Sequence, residues 1–511
     1  MAYRNILFYY GSTFTKLDGG ITQLINKVKM FENMGKYNLV IMNNSYDPES
    51  KSRFINITKF REVDIKTKFF NEIDVLLGRD NITKDNDQSL NHLPNLKYVK
   101  DVNSFDKMGA INKRKNAIDH IVTYDEISGR IKEIAYYEKI NGKMLEIKKD
   151  AYDSYGYIYS STYMNLNTTF IERKVFYNKD GKIKVEMFYK RVGEENKQYK
   201  IIVYNDNFMP ENIFDDLEDF NIYLRNLIFS KYNVKETLVI NDNISLYSEL
   251  KKINGLRIVN QLHNIHLLSD NINSAFYDNI ADISNDLRND KNTFLVTLTE
   301  AQKKDIESRI GKQNNIKVIP NAISINEETN YNRPNNKLVV MARLDDIKRV
   351  DLAIKVFKLL HEKDEKLELE IYGVGVNRNK LLNLISELRL EKSVHMKGFC
   401  TNPNEVLSNS TLLINTSSFE AYPMLLIESI NNGCPVVSFD IHYGIREIIS
   451  DKQTGIIVEN NNLEKMAEEI YLLLQNKKRY EEMIDSCYTK RHDFTFDKVI
   501  VKWEELLKNM E

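Results

Sequence analysis

The chain opens on a short apolar run, Asn5 to Tyr10, closed by Gly11. A polar loop leads to Gly20, and then Ile21, Leu24, Ile25, Val28 and Phe31 recur at helical spacing before a second apolar run, Val40-Ile41-Met42. A strand that is apolar throughout, rather than alternating, is buried on both faces, so it belongs in a parallel sheet covered by helices. A strand, a glycine-closed loop, a helix and a second strand predict an open α/β sheet. The same style returns at Thr237–Ile240, Leu256–Val259 and Phe294–Thr297. It returns again with strands at Leu338–Met341, Leu367–Tyr372, Val394–Lys397, Leu412–Asn415 and Val436–Phe439. Among these, Val350–His361 and Asn379–Leu388 carry helical periodicity. Two doubly wound α/β domains are therefore expected, facing a cleft at the carboxyl ends of their strands.

Between the two halves of the first domain the pattern changes. From about residue 95 to 205 the chain breaks into short segments separated by turn signals. Asn141-Gly142 parts Ile131–Ile140 from Lys143–Lys149, and Asp180-Gly181 parts Glu172–Tyr177 from Lys182–Tyr189. Both dipeptides accept the positive φ of tight hairpins. We expect an antiparallel β-meander inserted into the first α/β domain. The expected division is 1–75 and 209–325 for that domain, 76–208 for the insert, 326–495 for the second α/β domain and 496–511 for a terminal helix. The polar stretch 325–336 reads as an interdomain linker.

Composition narrows the function. A chain of 511 residues has room for about three domains. Its 72 Lys and Arg nearly balance 73 Asp and Glu, which argues against a nucleic-acid binder. The insert is the exception, with 21 basic against 15 acidic residues between Lys97 and Lys200. Three cysteines, Cys400, Cys434 and Cys487, suit neither a disulfide framework nor a zinc site. No apolar run reaches the roughly 18 residues a membrane helix needs, and the first apolar stretch is too short for a signal peptide. A cytoplasmic protein is expected, with a peripheral place at the inner face of the membrane as the variant.

Chemistry is expected in loops at the sheets' carboxyl edges. Phe419-Glu420-Ala421-Tyr422-Pro423-Met424-Leu425-Leu426-Ile427-Glu428 places two carboxylates eight residues apart, one in a loop after a strand and one about a turn into the next helix. The N–H groups from Ala421 to Leu425 could hold an anion or sugar hydroxyls. Equally, Glu420 could cap the helix and Glu428 be solvated. Arg343 and Lys348 lie in a strand-to-helix loop where they could meet a diphosphate, or simply face solvent. Gly20, in Asp18-Gly19-Gly20, allows a close backbone approach at a helix start, or is an ordinary turn. His263 and His266 follow the Leu256–Val259 strand, where a histidine could contact a hydroxyl or handle a proton, or belong to a polar loop. Asp85-Asn86-Asp87 has the form of a metal–nucleotide pair but follows no buried strand, and Gly373-Val374-Gly375 lacks the third glycine of a dinucleotide fingerprint.

Taken together, Glu420 and Glu428, Arg343 and Lys348, Tyr372-Gly373-Val374-Gly375 and Gly433-Cys434-Pro435-Val436-Val437 resemble the motifs of family 4 glycosyltransferases of the two-Rossmann, GT-B architecture. The likeness is specific over about 316–475. The insert, with Phe176-Tyr177-Asn178-Lys179-Asp180-Gly181, is similar to that of wall teichoic acid α-glycosyltransferases and the transferases of serine-rich adhesins. The resemblance implies a retaining transfer from UDP-glucose or UDP-N-acetylglucosamine, with no cofactor or essential metal. The acceptor would be a teichoic acid polyol-phosphate; a Ser/Thr-rich surface protein is the alternative, and a non-catalytic partner subunit a third. It further implies that Arg343 and Lys348 neutralise the diphosphate and Glu428 binds the ribose. Glu420 and the amides of Ala421, Leu425 and Leu426 would hold the sugar, Gly20 would approach the diphosphate, and His263 would lie near the reacting carbon. Relatives often carry glycine after the first glutamate, where this chain has Ala421-Tyr422-Pro423. The insert is expected either to guide a polyanionic acceptor or to build a homo-oligomer, a trimer among the options.

Overall fold

A computed structural model describes residues 3–11, 19–47, 50, 53–54, 57–58, 65–79, 96–100, 107–112, 117–124, 131–153, 155–166, 170–268, 273–325, 327, 333 and 336–510. By contacts, Asp18–Gly35 with Val259–Glu511 forms one compact unit, and Ala2–Leu17 with Lys36–Ile258 the other. The pair Asp85 and Asp87 lies outside the described residues.

The apolar runs become strands where expected. β1 (Asn5–Tyr10), β2 (Asn38–Asn43) and β3 (Lys68–Asn71) begin a seven-stranded sheet. β14 (Thr237–Asn241), β15 (Arg257–Gln261), β16 (Thr293–Thr297) and β17 (Ile316–Val318) complete it, in the order β17-β16-β15-β14-β1-β2-β3. β1 pairs in parallel with both β2 and β14. Ile6, Leu7, Phe8 and Tyr9 are fully buried, as a strand covered on both faces requires.

Ten antiparallel strands, from Leu96–Lys100 (β4) to Pro210–Phe214 (β13), follow one another in chain order as a single meander. The two expected hairpins are present: β7 (Ile131–Ile140) pairs with β8 (Lys143–Tyr152), and β10 (Ile171–Tyr177) with β11 (Ile183–Val192). Gly142 and Gly181 take φ of +83° and +76°, the conformation that selects glycine at such turns. One face of the meander packs Phe176, Val185, Met187, Ile201 and Val203 against Phe220 and Leu224 of the helix Leu217–Tyr232. At the same helix Arg225, fully buried, donates from Nε to Glu72 Oε1 at 2.7 Å.

The third sheet has six strands: β18 (Lys337–Met341), β19 (Glu368–Tyr372), β20 (Val394–Gly398), β21 (Leu412–Asn415), β22 (Val436–Phe439) and β23 (Gly455–Val458). All its pairings are parallel, in the order β20-β19-β18-β21-β22-β23. The helix Val350–His361 buries Val350, Ala353, Ile354, Phe357 and Leu360 on one stripe, the period a surface helix needs to close over a sheet. The terminal helix Phe496–Asn509 buries Trp503, whose ring meets Phe31 edge-on at 5.5 Å. Arg333, in the expected linker, is anchored: its Nη1 donates to the carbonyls of Leu407 and Ser410 at 2.6 and 2.8 Å. Among the described residues no helix is long and apolar enough to cross a membrane.

Candidate active site

In the third sheet the connection order reverses between β18 and β21. Ligands in such sheets bind beyond the carboxyl ends of the strands at that reversal, because the two loops diverge there and leave a crevice. The loop after β18 carries Arg343 and Lys348, and the loop after β21 carries Glu420. The structure brings two of these three together. Lys348 Nζ donates to Glu420 Oε1 at 2.5 Å, and Ser417 Oγ donates to the same oxygen at 2.8 Å. Their side chains are only 20 % and 14 % exposed, so the pair is partly withdrawn from water and less screened than a surface bridge. The loops are also joined by backbone, with Ser418 N–H donating to the Ile347 carbonyl at 2.8 Å.

Arg343 stands apart from that contact. Its Nη2 lies 3.1 Å from Asp345 Oδ2 with two thirds of its side chain exposed. The adjacent cation Arg349 is spent on structure. It takes φ of +44° and donates to the carbonyls of Thr416 and Ser417, both at 2.9 Å, and to Asn460 and Asn461. So of two neighbouring cations, Lys348 faces the carboxylate and Arg349 ties the β21 loop down.

Gly373-Val374-Gly375 has a packing reason. Ala342 N–H donates to the Tyr372 carbonyl at 2.9 Å, and Leu344 N–H to the Val374 carbonyl at 3.0 Å. A Cβ on Gly375 would sit 2.3 Å from the Leu344 carbonyl oxygen, and one on Gly373 1.8 Å from that of Ala342. The glycines let the loop after β19 lie flat against the loop that carries Arg343.

The helix after Glu420 runs Met424–Asn431, with Pro423 at its N-cap and no capping side chain among the described residues. Glu420 therefore does not cap it. The Leu426 amide donates back to the Pro423 carbonyl at 3.1 Å, so one first-turn donor is already used; Ala421 and Leu426 are buried and Leu425 is half-buried. Glu428 lies half-buried one turn in.

His263 is half-buried in the turn after β15, and Gly20 lies in the first turn of the helix Gly19–Met34. His266 is fully buried. Its Nε2 lies 2.9 Å from Asp305 Oδ2, and burial pushes the imidazole down to about 4, against the opposing pull of Asp305. Its ring stacks on Tyr443 at 5.8 Å. Sequence reasoning does not reach Ser417, Asp305 or Tyr443. Ser417 lies within the Thr416-Ser417-Ser418 turn without a distinguishing mark, and the other two lie far along the chain from the residues they meet.

Residues 323–490 match the family described as Glycosyl transferases group 1. The chain is 34 % identical over 182 residues to the poly(ribitol-phosphate) α-N-acetylglucosaminyltransferase of Staphylococcus aureus, which is 36 % of this chain and 37 % of that protein. The match thus spans little more than a third of that relative's length. By fold the likeness covers almost everything. S. aureus TarM, in complex with fondaparinux, α-GlcNAc-glycerol and UDP, superposes with a TM-score of 0.80 at 21 % identity over 99 % of both chains. The pneumococcal O-GlcNAc transferase GtfA, in complex with UDP and GlcNAc, does so with a TM-score of 0.79 at 19 % identity, again over 99 % of both. Two parallel sheets with an antiparallel meander thus give the chain the GT-B fold of these structures, and residues 323–490 within it carry the match to the group 1 glycosyl transferases.

Proposed function

We propose that the protein is a retaining glycosyltransferase that moves glucose or N-acetylglucosamine from its UDP-sugar to a hydroxyl of a polyol-phosphate polymer. The observation that carries this reading is the Lys348–Glu420 pair at the reversal of the third sheet, beside an uncapped helix start.

The roles follow from charge. When the glycosidic bond to UDP breaks, negative charge builds on the departing phosphate oxygen. Fixed cations at that place stabilise it without reorganising, which is worth more than a mobile counterion. Lys348, already aimed by Glu420, supplies one such charge, and Arg343 swings from the exposed position beside Asp345 to supply the second. Glu428 takes the ribose hydroxyls. Glu420 and the amides near Ala421 and Leu425 hold the sugar hydroxyls, the Leu426 amide being bonded to the Pro423 carbonyl. Gly20 gives the first loop a close approach to the diphosphate. His263, the less buried of the two histidines, lies toward the reacting carbon, because His266 is occupied by Asp305 and Tyr443. The acceptor oxygen bonds to the anomeric carbon on the face the phosphate leaves, and its proton departs with the phosphate oxygen. Configuration is thereby retained with no protein nucleophile, and the reading assigns the countercharge to side chains rather than to a metal.

For the acceptor, the surplus of six basic residues between Lys97 and Lys200 supports a polyanion. A Ser/Thr-rich protein is the second reading, favoured by the fold likeness to GtfA. The meander ends in two edge strands, β4 and β13, and exposed edges are commonly covered, so we place a homo-oligomer contact there, in a cytoplasmic enzyme. The test is UDP release with UDP-glucose and with UDP-N-acetylglucosamine. Each donor is run against poly(glycerol-phosphate), poly(ribitol-phosphate), a Ser-rich peptide and no acceptor. Release that depends on a polyol-phosphate polymer is expected; UDP binding without release under any pairing would leave the non-catalytic reading standing.

A further inference from the structure

The segment 442–447 joins Glu420 to a helix that carries none of the proposed chemistry. The Glu420 amide donates to the His442 carbonyl at 2.9 Å, and the Tyr443 amide donates back to the Glu420 carbonyl. The rest of Tyr443 points elsewhere. Its hydroxyl donates to Asp305 Oδ2 at 2.7 Å, on the helix Glu300–Ile310. Its ring stacks on His266, whose Nε2 lies 2.9 Å from the same oxygen. Arg309 Nη2, one turn along, lies 3.9 Å from that oxygen. The far end of the segment meets the same helix, where the amides of Glu300 and Ala301 each donate to the Glu447 carboxylate at 3.1 Å.

Glu420 sits in irregular backbone, outside both β21 and the following helix. Its carboxylate is aimed by Lys348 and Ser417, but its main chain is aimed by residues 442 and 443. A group that must meet one sugar hydroxyl works only within about 0.5 Å of its proper place, and a misplacement of 1 Å costs on the order of a hundredfold in rate. Tyr443 is 3 % exposed and His266 fully buried, so neither side chain is placed to touch a substrate.

We infer that Tyr443 is a positioning residue for Glu420, its hydroxyl bond to Asp305 fixing the backbone pair that places the carboxylate. The inference rests on the proposed role of Glu420. It also separates two quantities. Turnover depends on the Tyr443–Asp305 bond, whereas UDP affinity, which the proposed roles give to Arg343, Lys348, Gly20 and Glu428, does not.

The experiment compares Tyr443→Phe, Asp305→Asn, their combination and Glu420→Gln in the full chain. Three readouts are taken: UDP affinity by calorimetry, kcat and donor KM from UDP release, and amide hydrogen exchange over residues 418–424. Tyr443→Phe is expected to keep UDP affinity and KM within about twofold, and to lower kcat about tenfold or more. Exchange at the Glu420 amide should rise several-fold. Asp305→Asn should behave alike, and the combination no worse than either alone, since both remove one contact. Wild-type kcat and unchanged protection of 418–424 in Tyr443→Phe would overturn the inference. If Glu420→Gln keeps full turnover, the proposed role of Glu420 fails, and the exchange data still decide whether Tyr443 holds the loop. If Glu420→Gln abolishes turnover while Tyr443→Phe leaves both kcat and protection intact, only the inference fails.

Discussion

Lys348 Nζ and Glu420 Oε1 lie 2.5 Å apart although 72 positions separate them in the chain. Each sits on a loop beyond one of the two central strands of the third sheet, so the sheet's connection order sets the distance. In the proposed mechanism the pair holds the ammonium in place before the diphosphate arrives, which removes the cost of ordering a long flexible side chain during the reaction.

Lys348→Ala should therefore lower kcat by about 10²–10³-fold, the usual loss when one fixed charge-stabilising group is removed. Initial rates of UDP release at saturating donor measure it. Unchanged turnover would remove Lys348 from the proposed mechanism.

Gly375→Ala should disturb the Arg343 loop without touching any charged group. The added methyl would lie 2.3 Å from a backbone oxygen, which has no free rotamer to yield. A loss of about 1–3 kcal/mol in stability is expected, with weaker UDP binding. Urea midpoints and calorimetry read the two effects separately. A wild-type result in both would mean that the loops are not held as closely as described.

His266 makes stability depend on pH in a definite direction. Burial holds its folded pKa near 4, below the ordinary 6.5, with Arg309 also lowering it and Asp305 opposing. Between pH 6.5 and 4 the unfolded chain therefore binds a proton that the folded chain does not. Stability from this group is complete above that window and falls as pH falls through it, by about 1–3 kcal/mol. His266→Gln should flatten this slope in urea midpoints taken at pH 7 and pH 4.5. The same slope in the variant would place its origin at other groups.

Arg225→Ala should cost about 3–5 kcal/mol, because it leaves the carboxylate of Glu72 buried without a counter-charge. Thermal unfolding and limited proteolysis of the meander measure it. Resistance and melting temperature equal to wild type would show the pair to be dispensable.

Much of the fold was legible because burial writes itself into runs and periods. The apolar stripe of Val350–His361 marks that helix to the residue, and Asn141-Gly142 and Asp180-Gly181 name their own turns. The helix Glu300–Ile310 left no such mark. It buries only Gln302, Ile306 and Ile310, so its polar sequence looks like a loop. The last meander strand, Pro210–Phe214, begins with a residue that cannot donate to a ladder, and it lies at the sheet edge, where proline is tolerated. At the candidate site the residue types were legible and their division of labour was not. Lys348 and Arg349 are neighbours of like charge, and only the fold separates the one facing Glu420 from the one bonded to carbonyls. Tyr443 and Asp305 pair across 138 positions, which no local pattern encodes.

The buried Glu72–Arg225 pair has a consequence for how a chain of this kind can diversify. The chain leaves the first sheet at Asn71, and Glu72 opens the short helix that follows; it comes back from the meander into the helix Leu217–Tyr232, which carries Arg225. The ion pair thus clasps the exit and the return of the meander at one point. Strands between the clasped ends can lengthen, change charge or acquire new edges without reopening the sheet behind them. Glu420 and Lys348 both lie after the return, on the third sheet. A lineage can therefore rework the meander, which we propose meets the acceptor or a second copy, while the residues proposed for the sugar-nucleotide chemistry drift on a separate clock.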